Sequence, residues 1–214
     1  TRIMPTEEEK KKQKERKFSD DLKISVLVPL YNTPEPFLRD MICSVTGQTY
    51  QNWELCLADA SDEAHGRVAE VVGEYASHDL RIRYLKLQKN AGIAENTNAC
   101  IRMSSGTYLA LFDHDDVLHP SALYECAKRI ERDGADFIYT DEVTFEGQEL
   151  ENIVTYHFKP DFSVDNLRGV NYICHLSVFK RSLLDEVGMF LSEYDGSQDH
   201  DMILRLTDAA QNIC

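Results

Sequence analysis

A mostly parallel α/β sheet flanked by helices is the fold class this sequence predicts. Three features point to it: short apolar runs rich in β-branched residues, stretches between them whose apolar residues recur at helical spacing, and Gly or Pro at many junctions. Regular strand–helix alternation builds right-handed crossover units, and those units make a parallel sheet.

The elements follow in order. Residues 1–17 carry seven basic side chains and four glutamates, and Thr6 and Glu9 have the spacing of a capping box ahead of a lysine block. No apolar stripe accompanies this helix, so residues 1–22 read as a charged arm or linker and 23–214 as the domain proper. The arm either meets an anionic membrane surface or a partner, or is simply solvated. Ile24–Leu30 is short, apolar and β-branched, the mark of a buried strand. Pro34 and Pro36 punctuate, after which Phe37, Leu38, Met41, Ile42 and Val45 recur at helical spacing. Trp53–Ala58 is a second strand, and Ala64–Ala76 a helix with Val68, Val71, Val72 and Tyr75 inward. Arg81–Leu87 alternates only partly, which suits a strand near the sheet edge. A helix over Gly92–Met103 is expected to stop at Gly106, and Thr107–Phe112 is a fourth strand. Pro120 opens a helix that Gly134 ends, and Phe137–Tyr139 is a fifth strand. Beyond Asp141 the alternation loosens into a mixed region. There Ile153–Phe158 and Tyr172–Phe179 read as strands, and Arg181–Val187 and Asp199–Ala209 as helices. Gln211–Cys214 resembles the start of a further strand, so the sequence is expected to be truncated at its C-terminus.

Composition narrows the function. The chain has 214 residues, 43% of them hydrophobic and 28% charged, enough to bury a core. A formal charge of −14 excludes a protein that reads nucleic-acid backbone, which needs a basic footprint. No apolar run approaches the roughly 20 residues of a membrane span, and no signal peptide is expected from the charged N-terminus. The expected setting is the cytoplasm. Six cysteines (Cys43, Cys56, Cys100, Cys126, Cys174 and Cys214) match no zinc spacing. The first four fall among apolar residues and read as buried free thiols.

In an open parallel sheet, ligands bind beyond the carboxyl ends of the strands. Polar residues collect there. The first strand ends in Pro29-Leu-Tyr-Asn32 and the second in Asp59-Ala-Ser-Asp62. Asn90-Ala-Gly92 and a helix bearing Asn96 and Asn98 follow the third, and Asp113-His-Asp-Asp116 the fourth. Three carboxylates within four residues repel one another unless a cation relieves them, and Mg²⁺ or Mn²⁺ is the natural counter-charge. The plainer alternative makes Asp116 a turn cap and leaves another acid in solvent, with His114 structural.

Together with Gly196-Ser-Gln-Asp-His-Asp201, these motifs resemble those of a family 2 glycosyltransferase, from Lys23 to the chain end. The resemblance implies a GT-A fold, a Rossmann-like sheet with a mixed acceptor-side region toward the C-terminus. It also implies roles. Pro29, Tyr31 and Asn32 would frame the nucleotide base, and Asp59 would bond a uracil or thymine ring. Asn98 would sit near the ribose and phosphates, Asp113 near the ribose, and Asp115 on the metal that bridges the diphosphate. Asp199 resembles the base that accepts the acceptor hydroxyl's proton. Either Asp199 or Asp201 could instead cap the helix that follows. His175 would touch the sugar or diphosphate, or be a satisfied core residue, and Asp141 would line the acceptor side or cap a turn. Gln198 stands where the family often has Glu, Thr97 where it often has Arg, and Ala58 and Ala60 where it often has Asp and Gly. The activity so implied is inverting, Mn²⁺- or Mg²⁺-dependent transfer from a UDP- or dTDP-sugar. Its acceptor would be a growing bacterial surface glycan or lipid-linked precursor, with peripheral association at the inner face of the cell membrane. The rival readings are a sugar nucleotidyltransferase, disfavoured by the absence of a Gly-rich basic loop after the first strand, and a non-catalytic nucleotide-sugar-binding or scaffold domain of a larger synthase.

Overall fold

The computed structural model describes residues 4–147 and 152–214. Helix α1 (Glu7–Glu15) has the expected capping box, with Thr6 Oγ1 accepting the Glu9 amide at 3.2 Å and Glu9 Oε2 accepting the Thr6 amide at 2.7 Å. It buries no residue, as a helix without an apolar stripe must. Its end is nonetheless fastened: Gln13 Oε1 accepts from Thr49 Oγ1 at 2.8 Å and Ser121 Oγ at 2.9 Å, and Arg16 pairs with Glu131 at 2.8 Å.

The sheet begins with β1 (Ile24–Leu30), buried at every position. Helix α2 (Glu35–Thr46) turns Leu38, Met41, Ile42 and Val45 inward, and β2 (Trp53–Asp59) is again wholly buried. A 3₁₀ turn at Glu63–His65 precedes α3 (Arg67–Ala76), and β3 (Ile82–Lys86) lies at the sheet edge with most side chains outward. Then come α4 (Ile93–Met103), β4 (Tyr108–Leu111) and α5 (Ala122–Asp133), the last ended by Gly134 at φ 64°. After β5 (Phe137–Tyr139), strands β6 (Glu142–Phe145) and β7 (Ile153–His157) form a separate antiparallel pair. Helix α6 (Val164–Gly169), strand β8 (Ser177–Lys180), the short α7 (Leu184–Val187) and α8 (Gln198–Ala209) complete the fold. Strand β6 and helix α6 carry no pattern that singled them out, being short and largely exposed.

Six strands lie in the order β3-β2-β1-β4-β8-β5. The first four are parallel, whereas β8 runs antiparallel between β4 and β5, pairing Ser177 with both Leu111 and Tyr139. One core, including Trp53, Leu38, Met41 and Leu123, packs α2, α3 and α5 on one face. The other, including Phe137, Phe179, Met202 and Ile203, packs α4 and α8 on the opposite face. Ile213 bridges Phe137 in parallel, so the chain's last residues extend the sheet beside β5. Among the described residues no helix is long and apolar enough to cross a membrane.

Three expectations are corrected. The strand expected over Tyr172–Phe179 forms only from Ser177, because the carbonyls of Ile173 and His175 accept from Lys159 rather than from a neighbouring strand. Gly106 does not end α4, whose cap is the extended Ser104. A Cβ at Gly106 would lie 2.5 Å from Ser25 Oγ and 2.7 Å from the Lys23 carbonyl, so glycine lets the start of β4 reach β1. Cys43 is exposed rather than buried, although Cys56, Cys100 and Cys126 are buried and all six thiols are free.

Candidate active site

Strand order reverses between β1 and β4, which opens a crevice at their carboxyl ends. Because β8 is antiparallel, the residues before it arrive at that same edge, and so do those after β5. Topology thus delivers the loop after β4, residues 173–176 and Thr140–Glu142 to one place.

The loop after β4 is a tight turn with the Asp116 amide 3.5 Å from the Asp113 carbonyl. Residues at the two ends of such a turn meet, while the central ones project. Asp113 and Asp116 therefore come together, and Asp115 stands exposed at the tip. His175 lies between the two acids, with Nε2 3.5 Å from Asp113 Oδ2 and Nδ1 3.6 Å from Asp116 Oδ2. Asp113, Asp116 and His175 each offer a ligand atom within 4.8 Å of the others. Two carboxylates and an imidazole are a donor set that a divalent cation such as Mn²⁺ fits. The residues grouped closely enough to hold a metal are thus Asp113, Asp116 and His175, and Asp115, where the metal was expected, stands beside them at the tip of the same turn.

The acids of the site act on one another. Burial pushes the Asp116 carboxyl above the ordinary range, and repulsion from Asp113, Asp115 and Glu142 adds to this, with His175 partly relieving it. Asp199 is raised in the same way, by burial first and then by Asp113, against the opposing pull of His175 and a bond from Gln198. The N-terminus of α8 favours an ionised Asp199, but burial outweighs it. Asp199 is close enough to Asp113 and His175 to interact with both. Gln198 holds it, Nε2 donating to Asp199 Oδ2 at 2.9 Å while Oε1 accepts the Gly196 amide at 2.8 Å. Asp201 is committed to Arg205, Oδ2 accepting from the guanidinium at 2.5 and 3.1 Å.

The remaining predicted residues divide. Tyr31 is exposed beyond β1, whereas Pro29 is buried within it. Asn32, at φ 51°, spends its side chain on a reciprocal pair with Asp62 at 3.1 Å that ties the loops after β1 and β2 together. Asp59 is fully buried. Its Oδ1 accepts the Ser61 amide at 2.8 Å, and its Oδ2 accepts from Tyr84 at 2.6 Å and Lys86 at 3.0 Å. These bonds outweigh burial and lower its pKa, and they make Asp59 a brace for the loop and for Lys86 rather than an open contact. Asn98, expected near the ribose and phosphates, is engaged elsewhere. Buried in α4, it donates to the Phe190 carbonyl at 2.9 Å and accepts the Phe190 amide at 3.0 Å, so both ends of its amide are used within the protein. Asp141 accepts the Lys159 amide at 2.8 Å and pins the chain leaving β7.

Sequence reasoning gave no role of their own to Lys159 or Glu142, and left Asp116 as one of three crowded acids or a turn cap. Lys159 lies outside any periodic segment, and nothing local marks it as buried. Asp116 was findable from its three-residue offset to Asp113. Beside the acidic turn a cavity of about 580 Å³ opens, lined by Phe37, Phe112, Leu118, Phe145 and Phe158, with Asp116 and His175 also in its wall.

A parallel sheet that reverses order beside an acidic turn, with a carboxylate brought in from a helix N-terminus, defines an α/β glycosyltransferase domain of the GT-A type. The chain belongs to glycosyl transferase family 2, whose profile matches residues 25–188. It is 41% identical over 202 residues to the Sinorhizobium fredii protein y4gI, covering 92% of this chain and 22% of that protein. It is 35% identical over 192 residues to the Myxococcus xanthus O-antigen biosynthesis protein RfbC, covering 89% of this chain and 15% of RfbC. Chondroitin synthase of Escherichia coli is 26% identical over 86% of this chain and 26% of its own length. The chain thus spans about a quarter or less of these relatives. In fold it is similar to S. aureus TarS, with a TM-score of 0.73 and 17% identity over 90% of this chain and 34% of that one. The mannosyltransferase PcManGT of Pyrobaculum calidifontis, solved with GDP-Man and Mn²⁺, gives a TM-score of 0.60 at 16% identity, over 91% of this chain and 57% of that one.

Proposed function

We propose that this domain transfers a sugar, with inversion at the anomeric carbon, from a UDP- or dTDP-sugar to a growing bacterial surface glycan or its lipid-linked precursor. One observation carries the reading: Asp199, a half-buried carboxylate at the start of α8 whose pKa is raised, stands within electrostatic reach of the Asp113–Asp116–His175 group at the carboxyl edge of the sheet. A base and a cation site side by side are what displacement of a nucleoside diphosphate requires. The names of the relatives, an O-antigen biosynthesis protein and a chondroitin synthase, support a polysaccharide acceptor. TarS has been solved with UDP-GlcNAc, which supports a uridine donor.

Each residue then has a task. Tyr31, exposed beyond β1, meets the base of the donor, and the Asn32–Asp62 pair and Asp59 hold the two loops that flank it. Asp113, Asp116 and His175 hold Mn²⁺ or Mg²⁺, and we assign the exposed Asp115 to it as a fourth donor from the same turn. When bound, the ion neutralises negative charge on the leaving diphosphate. Asp199 takes the proton of the attacking hydroxyl onto its carboxylate, and Gln198 aims it. Asp141 and the cavity beside Asp116 lie on the acceptor side. The domain works at the cytoplasmic face of the membrane, where the basic arm offsets repulsion between an acidic body and anionic lipid.

The test is transfer from UDP- and dTDP-sugars to a panel of glycan acceptors, with the anomeric configuration of the product read by NMR. An inverted linkage formed only with divalent metal supports the reading. A retained configuration, or transfer undiminished by EDTA, would refute it.

A further inference from the structure

Lys159 is the least expected side chain of the site. Its side chain is only 5% exposed, and a buried ammonium is costly unless all its donors are used. All three are used. Nζ donates to the Ile173 carbonyl at 2.9 Å, the His175 carbonyl at 3.0 Å and Glu142 Oε2 at 3.2 Å. Glu142 Oε2 in turn accepts the His175 amide at 2.9 Å. Both main-chain polar groups of His175 are therefore held by one ion pair. The imidazole stands 3.5 and 3.6 Å from its acids, longer than a hydrogen bond, so those contacts do not lock the ring. What places the ring is its backbone.

From this we infer that the Lys159–Glu142 pair is a positioning device. It fixes the main chain at residue 175, and so sets the imidazole between Asp113 and Asp116. The inference rests on the proposed cation site and deepens it, by naming the residues outside the ligand group on which that site depends. The chain's course explains the arrangement. Residues 173–175 lie outside the strands. Leu176 is held by Thr140, whose amide donates to the Leu176 carbonyl at 3.2 Å and whose Oγ1 accepts the Leu176 amide at 3.3 Å. The ion pair carries that hold back to residue 175. The β6–β7 pair supplies Glu142 from its first strand and Lys159 two residues beyond its second, and Asp141 fastens Lys159 through its amide. An isolated two-stranded hairpin is marginal alone. Here it is tied to the sheet edge through the same contacts that place His175.

The experiment compares Lys159→Met, which keeps the chain length without charge, with Lys159→Arg and the wild type. Two quantities are read: the affinity for Mn²⁺ alone, by calorimetry, and the His175 imidazole resonances, by NMR at fixed pH without metal. Residues that orient a metal-binding histidine typically contribute about 10–100-fold in metal affinity. Lys159→Met should weaken Mn²⁺ binding by about that factor and shift or broaden the His175 signals, leaving those of His65 and His78 unchanged. Lys159→Arg should recover most of both. UDP affinity in EDTA should be the same in all three. His175 signals identical in Lys159→Met and wild type would overturn the inference, as would equal Mn²⁺ affinity. If the wild type bound no Mn²⁺, the cation reading itself would fall, while the His175 spectra would still decide whether the pair positions the ring. Should Lys159→Met not fold, Glu142→Gln, at a half-exposed position, carries the same comparison.

Discussion

Asp195 and Gly92 fit together so closely that the Asp195 carboxylate fills the space where any side chain at Gly92 would begin, while its Oδ1 accepts the Ala94 amide at 3.1 Å. The carboxylate caps α4, and Gly92 has φ 95°, a conformation that suits glycine. This contact and the Asn98–Phe190 pair fasten the segment leading into Asp199 onto α4.

Gly92→Ala should therefore destabilise the domain by about 2–3 kcal/mol, combining backbone strain with the clash. Asp195→Ala alone should cost about 1 kcal/mol, the usual value of a lost cap. In the double variant the clash is gone, so the combined cost should be less than the sum. Urea melts of the four proteins measure this, and strict additivity would mean the two residues do not interact.

Asn98 offers a clean test of whether it serves the donor or the Phe190 segment. Asn98→Leu should cost about 2–3 kcal/mol, since it leaves both main-chain groups of Phe190 unpaired in a buried setting. It should slow transfer by loosening the approach to Asp199, yet leave UDP affinity within about twofold of wild type, because no interaction with the donor is lost. A tenfold loss of UDP affinity would return Asn98 to the donor site.

Asp199→Asn should leave donor binding intact and reduce transfer by about 10²–10⁴-fold, the range for a general base. It should also stabilise the protein at neutral pH. A carboxyl whose folded pKa lies above its unfolded value favours the folded state only when protonated, and that advantage is lost as pH rises through the folded pKa. The variant carries no such loss. A pH series of thermal melts on both proteins reads the difference, which should vanish in acid.

Glu54 shows the opposite sign, at the far end of the sheet. Burial pushes its pKa up, but bonds from Lys23, Ser25 and Ser105 outweigh this and bring it down to about 2. The unfolded chain binds this proton near pH 4.5, so the stabilisation is complete above that pH and is lost as pH falls toward 2. The amount is on the order of 3 kcal/mol. Glu54→Gln should flatten the stability profile in that window, which denaturant titrations between pH 5 and about 2 would reveal.

Much of this was legible because it rests on local pattern. β1 and β2 are buried throughout and read as unbroken apolar runs, and the acids follow the strands as a parallel sheet requires. What was hidden depends on long-range partners. Tyr172–Phe179 looks like one strand, but Lys159 claims its first carbonyls, and no local signal foretells that. Asn98 sits in the right motif yet faces Phe190, a contact 92 residues away. The choice among the acids of the turn depends on backbone geometry, which brings Asp113 to Asp116 and leaves Asp115 at the tip.

The most direct test of the central claim is calorimetric titration of UDP into the protein with and without Mn²⁺, repeated with Asp115 and Asp116 both changed to alanine. The account predicts UDP binding that Mn²⁺ strengthens in the wild type, and no effect of Mn²⁺ in the double variant. UDP affinity indifferent to Mn²⁺ in the wild type, or an undiminished Mn²⁺ effect without the two acids, would contradict it.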